Sequence, residues 1–379
     1  MQNHSKLDMI DREITNINKT KVYFKDQSRR IICFCGKEFK VSILPHLRKE
    51  HPDVWKEWQS KFLEFRNEGL NYRQIMYHFL SGNDQPLFSW SIIERETNEL
   101  LNKDPSKLII PEKGSINKWE PVDFKLERTT VWDFHKRGNW AVHDSKYRGN
   151  WPPQIPRNLI LKYTTKDDIV VDPFVGGGTT LIESWLLGRR SIGIDINPIA
   201  IRISKGKVQQ MYKHNSTSLV DDDLQKKPMV IKGDSRKLET ILQQNGIEKG
   251  AIGLFCVHPP YMDSLKYSNR DGDLSLYSNE TDFLIHLEEI AAQIIRLLKN
   301  GGICAVLIGD VRKHGKFIPL GVDTLKLFQK SGLDLLDVII KIQRHDFSTE
   351  FYLNNKQISY ALAHEYLLIF KKGFNIKHF

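Results

Sequence analysis

The sequence predicts an α/β chain: a seven-stranded open sheet, parallel in its main part and with helices on both faces, preceded by a smaller, mostly α N-terminal domain. Three observations predict it. Seven short β-rich runs recur from residue 168 onward, helically spaced segments separate most of them, and residues 1–125 show no such alternation but mix charges with Trp, Tyr and Phe. At 379 residues the chain is long for one typical domain and suits two. The expected boundary separates residues 1–125 from 126–379.

The runs are Asp168–Pro173, Ser191–Ile196, Met229–Gly233, Ala251–His258, Gly302–Gly309, Leu335–Ile342 and Glu365–Phe370. Between the fourth and fifth, Asp282–Leu298 puts Leu284, Leu287, Ile290, Ile294 and Leu298 on one helical face. Asn300-Gly301-Gly302 is expected to end that helix. No long helix separates the last two runs, so residues 344–364 either cross over irregularly or the final strand runs antiparallel. Asp263–Glu280 is polar and Tyr-bearing, and reads as a long loop directly after a strand, where ligands bind in such sheets.

Composition narrows the class. Hydrophobic residues make up 40% and aromatics 10%, which excludes a disordered or collagen-like chain. The first residues lack an apolar signal region and no apolar run approaches the ~20 residues of a membrane span, so a soluble, cytoplasmic protein without a membrane partner is expected. Cys256 and Cys304 sit inside apolar runs and read as small buried residues rather than disulfide partners. The formal charge of +10 points to an anionic partner without identifying it.

The first strand runs into Asp172-Pro173-Phe174-Val175-Gly176-Gly177-Gly178-Thr179-Thr180 before a helix. Three glycines allow a tight turn and leave no side chain between backbone and ligand. Asp195 ends the second strand, where a carboxylate accepts hydrogen bonds from both hydroxyls of a ribose. Asp234 ends the third, placed for an adenine amino group. Neither a dinucleotide fingerprint nor a P-loop is present, so the expected ligand is a nucleoside-like cofactor without a pyrophosphate, and S-adenosylmethionine fits.

The fourth strand ends in His258-Pro259-Pro260-Tyr261. The two prolines stiffen the turn and remove two donors, leaving the Pro259 carbonyl as a fixed acceptor. A neutral His258 offers a second acceptor. Together they suit the two protons of an exocyclic amine, whose lone pair is delocalised until those hydrogens are held. Tyr261 offers an aromatic face to an extruded base.

On these residues the chain resembles the S-adenosylmethionine-dependent DNA methyltransferases of exocyclic amino groups, adenine N6 or cytosine N4. The likeness runs from about Thr130 to Lys372. Its anchors are Asp172–Thr180 and His258–Tyr261, with further similarity in Trp132–Gly149, Trp151–Thr164, Gly272–Ser275 and Gly309–Arg312. The resemblance implies a Rossmann-like methyltransferase sheet and a cofactor held by Asp172, Pro173, Phe174, Gly176, Gly177, Gly178, Thr179, Asp195, Asn197, Asp234, Ser235 and Pro153. It implies catalysis by His258, Pro259, Pro260 and Tyr261 on a flipped base. It also implies double-stranded DNA as partner, a restriction-modification or phage-defence role, and a partner nuclease or homodimer. His258 stands where the family has Asp, Asn or Ser, so the target base is not read from that position. An RNA amino-methyltransferase and an inactive DNA-binding homologue are the alternative readings. Little chain follows the last strand, so sequence recognition is expected from the N-terminal region, the Asp263–Glu280 loop, or both.

In that N-terminal region Cys33 and Cys35 precede His46 and His51, the ingredients of a Cys2His2 structural zinc site spanning residues 31–53, although C-x-C is tighter than the usual first pair. Residues 1–50 carry 11 Lys+Arg against 6 Asp+Glu, half of the chain's excess. This cluster includes Lys21, Lys25, Arg29, Arg30, Lys37, Lys40, Arg48 and Lys49, and suits a phosphate backbone. Residues 55–100 hold a candidate helix-turn-helix with a cap at Asn71.

Overall fold

In the computed structural model the chain forms two compact units, Met1–Pro111 and Glu112–Phe379. The structure describes residues 23–25, 30–33, 35, 37–39, 43–68, 70, 72–79, 87–110, 116, 118–215, 227–313, 315–344 and 360–373. The proposed cap at Asn71, the basic residues Lys21, Arg29 and Lys40, and most of 344–364 lie outside them.

The first unit opens with a three-stranded antiparallel sheet, β1 (Tyr23–Lys25), β2 (Arg30–Ile32) and β3 (Glu38–Phe39). Four α-helices follow among the described residues: α1 (Leu44–Glu50), α2 (Pro52–Asn67), the five-residue α3 (Tyr72–Met76) and α4 (Trp90–Lys103). Prolines at the first turns of α1 and α2 suit positions where the missing N–H would have no helical partner. Trp55, Trp58, Phe62, Phe65, Phe79 and Phe88 share one core with Cys33, Leu47 and Ile93, largely through edge-to-face ring contacts.

The second unit is built on an eight-stranded sheet rather than the seven expected. Its strands are β4 (Val131–Trp132), β5 (Ile169–Asp172), β6 (Arg190–Asp195), β7 (Met229–Lys232), β8 (Ile252–Val257), β9 (Leu298–Ile308), β12 (Asp334–Ile342) and β13 (His364–Lys371), in the order β4-β12-β13-β9-β8-β5-β6-β7. A separate hairpin, β10 (Val311–Lys313) and β11 (Lys316–Ile318), branches off after β9. The connecting helices are α5 (Gln154–Tyr163), α6 (Thr179–Leu186), α7 (Pro198–Asn215), α8 (Leu238–Gln244), α9 (Glu280–Leu297) and α10 (Leu320–Lys330). The extra strand β4 pairs at the edge through two residues only, too short to leave a periodic signal. Strands β5 to β9 are mutually parallel, and β13 runs antiparallel between β9 and β12, which resolves the alternative left open for the last run.

Both faces of the central strands are covered, so β5 and β8 are buried at every position. Along one face Val171, Phe255, Val257, Cys304 and Val306 join Leu287, Ile290 and Ile294 of α9. Along the other, Val170, Leu254, Cys256, Ala305 and Leu307 join Ile155 and Leu159 of α5. The period of two thus puts Cys256 and Cys304 in different clusters, and both are free thiols.

The end of α9 differs from expectation. Helix α9 stops at Leu297, and Gly301-Gly302 does not cap it. The pair lies in an irregularity of β9, where Ile252 pairs with Leu298 but Leu254 with Ile303, and Gly301 adopts φ +74°. No helix among the described residues is long and apolar enough to cross a membrane.

Candidate functional site

Sheet order places the site. From β5 the chain builds outward through β6 and β7, then returns to the other side of β5 with β8, so the ends of β5 and β8 flank a topological switch point. The glycine turn leaves β5 and the His258 turn leaves β8, and a cleft lies between them.

The glycine turn is braced from below. Asp172 is buried, accepts from the Phe174 N–H at 3.0 Å and from the Thr180 hydroxyl, and burial pushes its carboxyl up to about 7. Gly176 and Gly178 adopt φ +48° and +81°, a region that favours glycine. At Gly177 the limit is space, since a Cβ would lie 2.2 Å from Nδ2 of Asn150. The Gly176 N–H donates to Asp195 (2.9 Å) and the Gly177 N–H to Oδ1 of Asn150 (2.9 Å).

Asp195 also accepts from the N–H of Asn197 at 2.8 Å, and burial pushes its carboxyl up to about 7. Asp234 accepts three guanidinium contacts from Arg236, at 2.7 to 3.1 Å, and the backbone N–H of Arg236 at 2.9 Å. Ser235 donates its hydroxyl to the Pro173 carbonyl, tying the third strand end to the turn.

At the β8 end, His258 is half-buried with its ring stacked on Trp151, centroids 5.5 Å apart and planes 23° from parallel. Desolvation lowers its pKa to about 4, so the ring is neutral across the physiological range. Its Nε2 lies 3.0 Å from the Tyr261 hydroxyl.

The structure brings Asp172, Phe174, Gly176, Asp195, Asp234, Ser235, His258, Pro259 and Pro260 to the wall of this cleft. Pro173, Gly177, Gly178, Thr179, Asn197, Pro153 and Tyr261 are not among the lining residues. Pro153 is buried at the start of α5, and Asn197 holds its backbone N–H on Asp195. Tyr261 packs against Gly309, where a Cβ would lie 2.9 Å from its ring.

The cleft is also lined by residues not named as site residues from the sequence: Tyr147, Trp151 and Asp273, which fall in the segments of family similarity, and Asn150 and Tyr267, which do not. Tyr147 and Tyr267 stack at 5.9 Å. Asn150 Nδ2 is a buried donor with no hydrogen-bond partner among the described residues. With the Gly176 turn and the Asp195 carboxylate, that donor makes the cleft fit a polar nucleoside-containing ligand with a charged amino-acid tail such as S-adenosylmethionine.

In the first unit the β2–β3 hairpin holds Cys33 and Cys35, α1 holds His46, and His51 follows its last residue. One donor atom from each lies within 4.8 Å of the others, with Cys35 Sγ 3.2 Å from His46 Nε2. Hydrogen bonding from His51, then from the Lys37 backbone, pulls the Cys35 thiol down to about 6.

A profile of the DNA methylase family matches residues 9–206, more than half of the chain, including the glycine turn and Asp195. The chain is 35% identical over 97 residues to the Type II methyltransferase M.MjaII of Methanocaldococcus jannaschii, covering 24% of this chain and 18% of that protein. It is 40% identical over 76 residues to the Type II methyltransferase M2.DpnII of Streptococcus pneumoniae, covering 19% and 28%. Matched lengths therefore fall well short of two thirds of these relatives. A Thermus thermophilus protein crystallised with S-adenosyl-L-methionine aligns at 23% identity and a TM-score of 0.28, over 38% of this chain and 54% of that one.

Proposed function

Because this chain belongs to the DNA methylase family, whose members transfer a methyl group from S-adenosylmethionine to amino groups of DNA, we propose that it methylates the exocyclic amine of a base flipped from double-stranded DNA. The target is cytosine N4 or adenine N6. The observation that carries the reading is the meeting of Asp195 and His258 in one cleft, across the β5–β8 switch point.

Bound S-adenosylmethionine would supply an electrophilic methyl group to the amine nitrogen, with a thioether as its leaving group. The chain's own residues set up that event. Asp195 would accept from the ribose hydroxyls and Asn150 Nδ2 would offer a donor to the carboxylate, while Phe174 lies along the cleft wall. The Pro259 carbonyl and the neutral ring of His258 take the two amine hydrogens. This localises the nitrogen lone pair and stabilises the developing positive charge. The proton released from nitrogen passes to His258 and on to water. By the same reading the enzyme acts site-specifically in restriction-modification or phage defence. The test is to incubate the protein with labelled cofactor and unmethylated DNA or RNA, then identify the labelled nucleoside by mass spectrometry. N4-methylcytosine or N6-methyladenine in DNA is expected; label in RNA alone, or none, overturns the reading.

Cofactor affinity should follow pH. The Asp195 carboxyl is raised to about 7, so below that pH it is largely protonated and loses acceptor capacity toward the ribose. Titration calorimetry should show binding tightening as pH rises through about 7, and Asp195→Asn should flatten the profile. A steep profile in that variant would assign the effect elsewhere.

For the first unit we propose a structural zinc ion on Cys33, Cys35, His46 and His51. Zinc–sulfur bonds of about 2.3 Å and zinc–nitrogen bonds of about 2.0–2.1 Å suit donors this close, and two thiolates neutralise the ion. The basic residues near it in sequence then serve the DNA backbone. Metal analysis of the purified chain should find about one zinc, reduced below half an equivalent by Cys33→Ser; less than half an equivalent in the unaltered protein counts against the site.

A further inference from the structure

The proton on the His258 ring decides which nitrogen meets the target amine, and the surrounding hydrogen bonds determine it. Lys341 and Glu365 are direct cross-strand partners on β12 and β13, and Lys341 Nζ donates to Oε2 of Glu365 at 2.7 Å. Their side chains are 13% and 8% exposed, so the pair is shielded from solvent screening. Burial, the largest single influence, would raise the Glu365 carboxyl, but the charge and hydrogen bond of Lys341, the His258 ring and the Tyr261 hydrogen bond together outweigh it and hold the group below its ordinary value. Glu365 is thus a carboxylate, which accepts and never donates.

The Tyr261 hydroxyl lies 2.6 Å from Oε1 of Glu365 and must donate to it. Its oxygen then has only lone pairs to offer His258 Nε2 at 3.0 Å, so Nε2 carries the ring proton. Trp151, stacked on the other side, fixes the ring plane.

We infer that Lys341, Glu365 and Tyr261 form a relay of positioning residues that locks His258 as the Nε2–H tautomer, leaving Nδ1 as the acceptor for the target amine. The inference rests on the reading of His258 as the amine's partner. It gives Tyr261 a role beyond a stacking surface and brings in two residues from the last strands. When Nδ1 takes the proton released from the methylated nitrogen, the ring becomes an imidazolium whose Nε2–H points through Tyr261 to a carboxylate. The proton then leaves Nδ1 for water and the neutral tautomer returns.

Two measurements on the full chain test it. In protein labelled with ¹⁵N-histidine, the His258 resonances, assigned by their loss in His258→Ala, should show a protonated Nε2 and an unprotonated Nδ1. Tyr261→Phe should leave a mixture of tautomers. Steady-state assays with labelled cofactor and DNA should show kcat falling about 10- to 100-fold in Tyr261→Phe and Glu365→Gln while KM for the cofactor is unchanged. An Nδ1–H tautomer in the unaltered protein, or unaltered kcat in both variants, overturns the relay. If His258→Ala itself keeps full activity, the reading of His258 fails as well; if only that variant is inactive, the relay alone fails. A variant that does not fold leaves the tautomer measurement on the unaltered protein to decide.

Discussion

His258→Ala should bind S-adenosylmethionine as the unaltered protein does and transfer its methyl group about 100- to 1,000-fold more slowly, the usual loss when one preorganised electrostatic contact to a developing charge is removed. The cofactor side is expected to survive because Asp195, Asn150 and the glycine turn are held by bonds that do not involve His258. The change truncates a ring stacked on Trp151 and removes a partner of the Tyr261 hydroxyl, so some stability is lost too. Calorimetry with the cofactor separates the effects: unchanged affinity with lost turnover supports the assignment, and lost affinity contradicts it. His258→Asn, which keeps an acceptor of the kind the family uses there, should recover part of the rate.

Asp195→Ala should show the opposite division, losing cofactor binding by about 100-fold or more. Hydrogen bonds to a charged group contribute about 1.5–3 kcal/mol each, and two ribose hydroxyls would lose their acceptor. Its oxygens also hold the N–H groups of Gly176 and Asn197, so the turn itself loosens. At saturating cofactor, residual turnover should approach that of the unaltered protein, because the His258 turn leaves a different strand. Unchanged affinity would remove Asp195 from the ribose site.

Much of this is legible in the chain because strands buried on both faces leave near-continuous apolar runs, and polar groups stand out where those runs stop. Asp172, Asp195, Asp234 and His258 all stand out that way, and all four line the cleft. The strand β4 escapes such a reading because two residues carry no period. Gly301-Gly302 misleads because a glycine after a helix and a glycine in an irregular strand look alike locally, and only pairing with β8 tells them apart. Asn150, Trp151 and Tyr267 lie in irregular loops, where no periodicity says which side chain turns inward. Glu365 reads as the polar end of an ordinary strand, and its contact with Tyr261 spans 104 positions.

The position of β13 bears on how the chain is completed as it is made. Strands β5, β6 and β7 and the glycine turn leave the ribosome well before the carboxylate that completes the His258 environment. Translation proceeds at about 5–20 residues per second, so the interval lasts seconds. During it a growing chain carries the glycine turn and, later, the His258 turn, while Tyr261 still lacks its carboxylate partner. A chain that ends before β13 is expected to lack the carboxylate that receives the Tyr261 hydroxyl, so the His258 environment is tied to completion of the whole sheet.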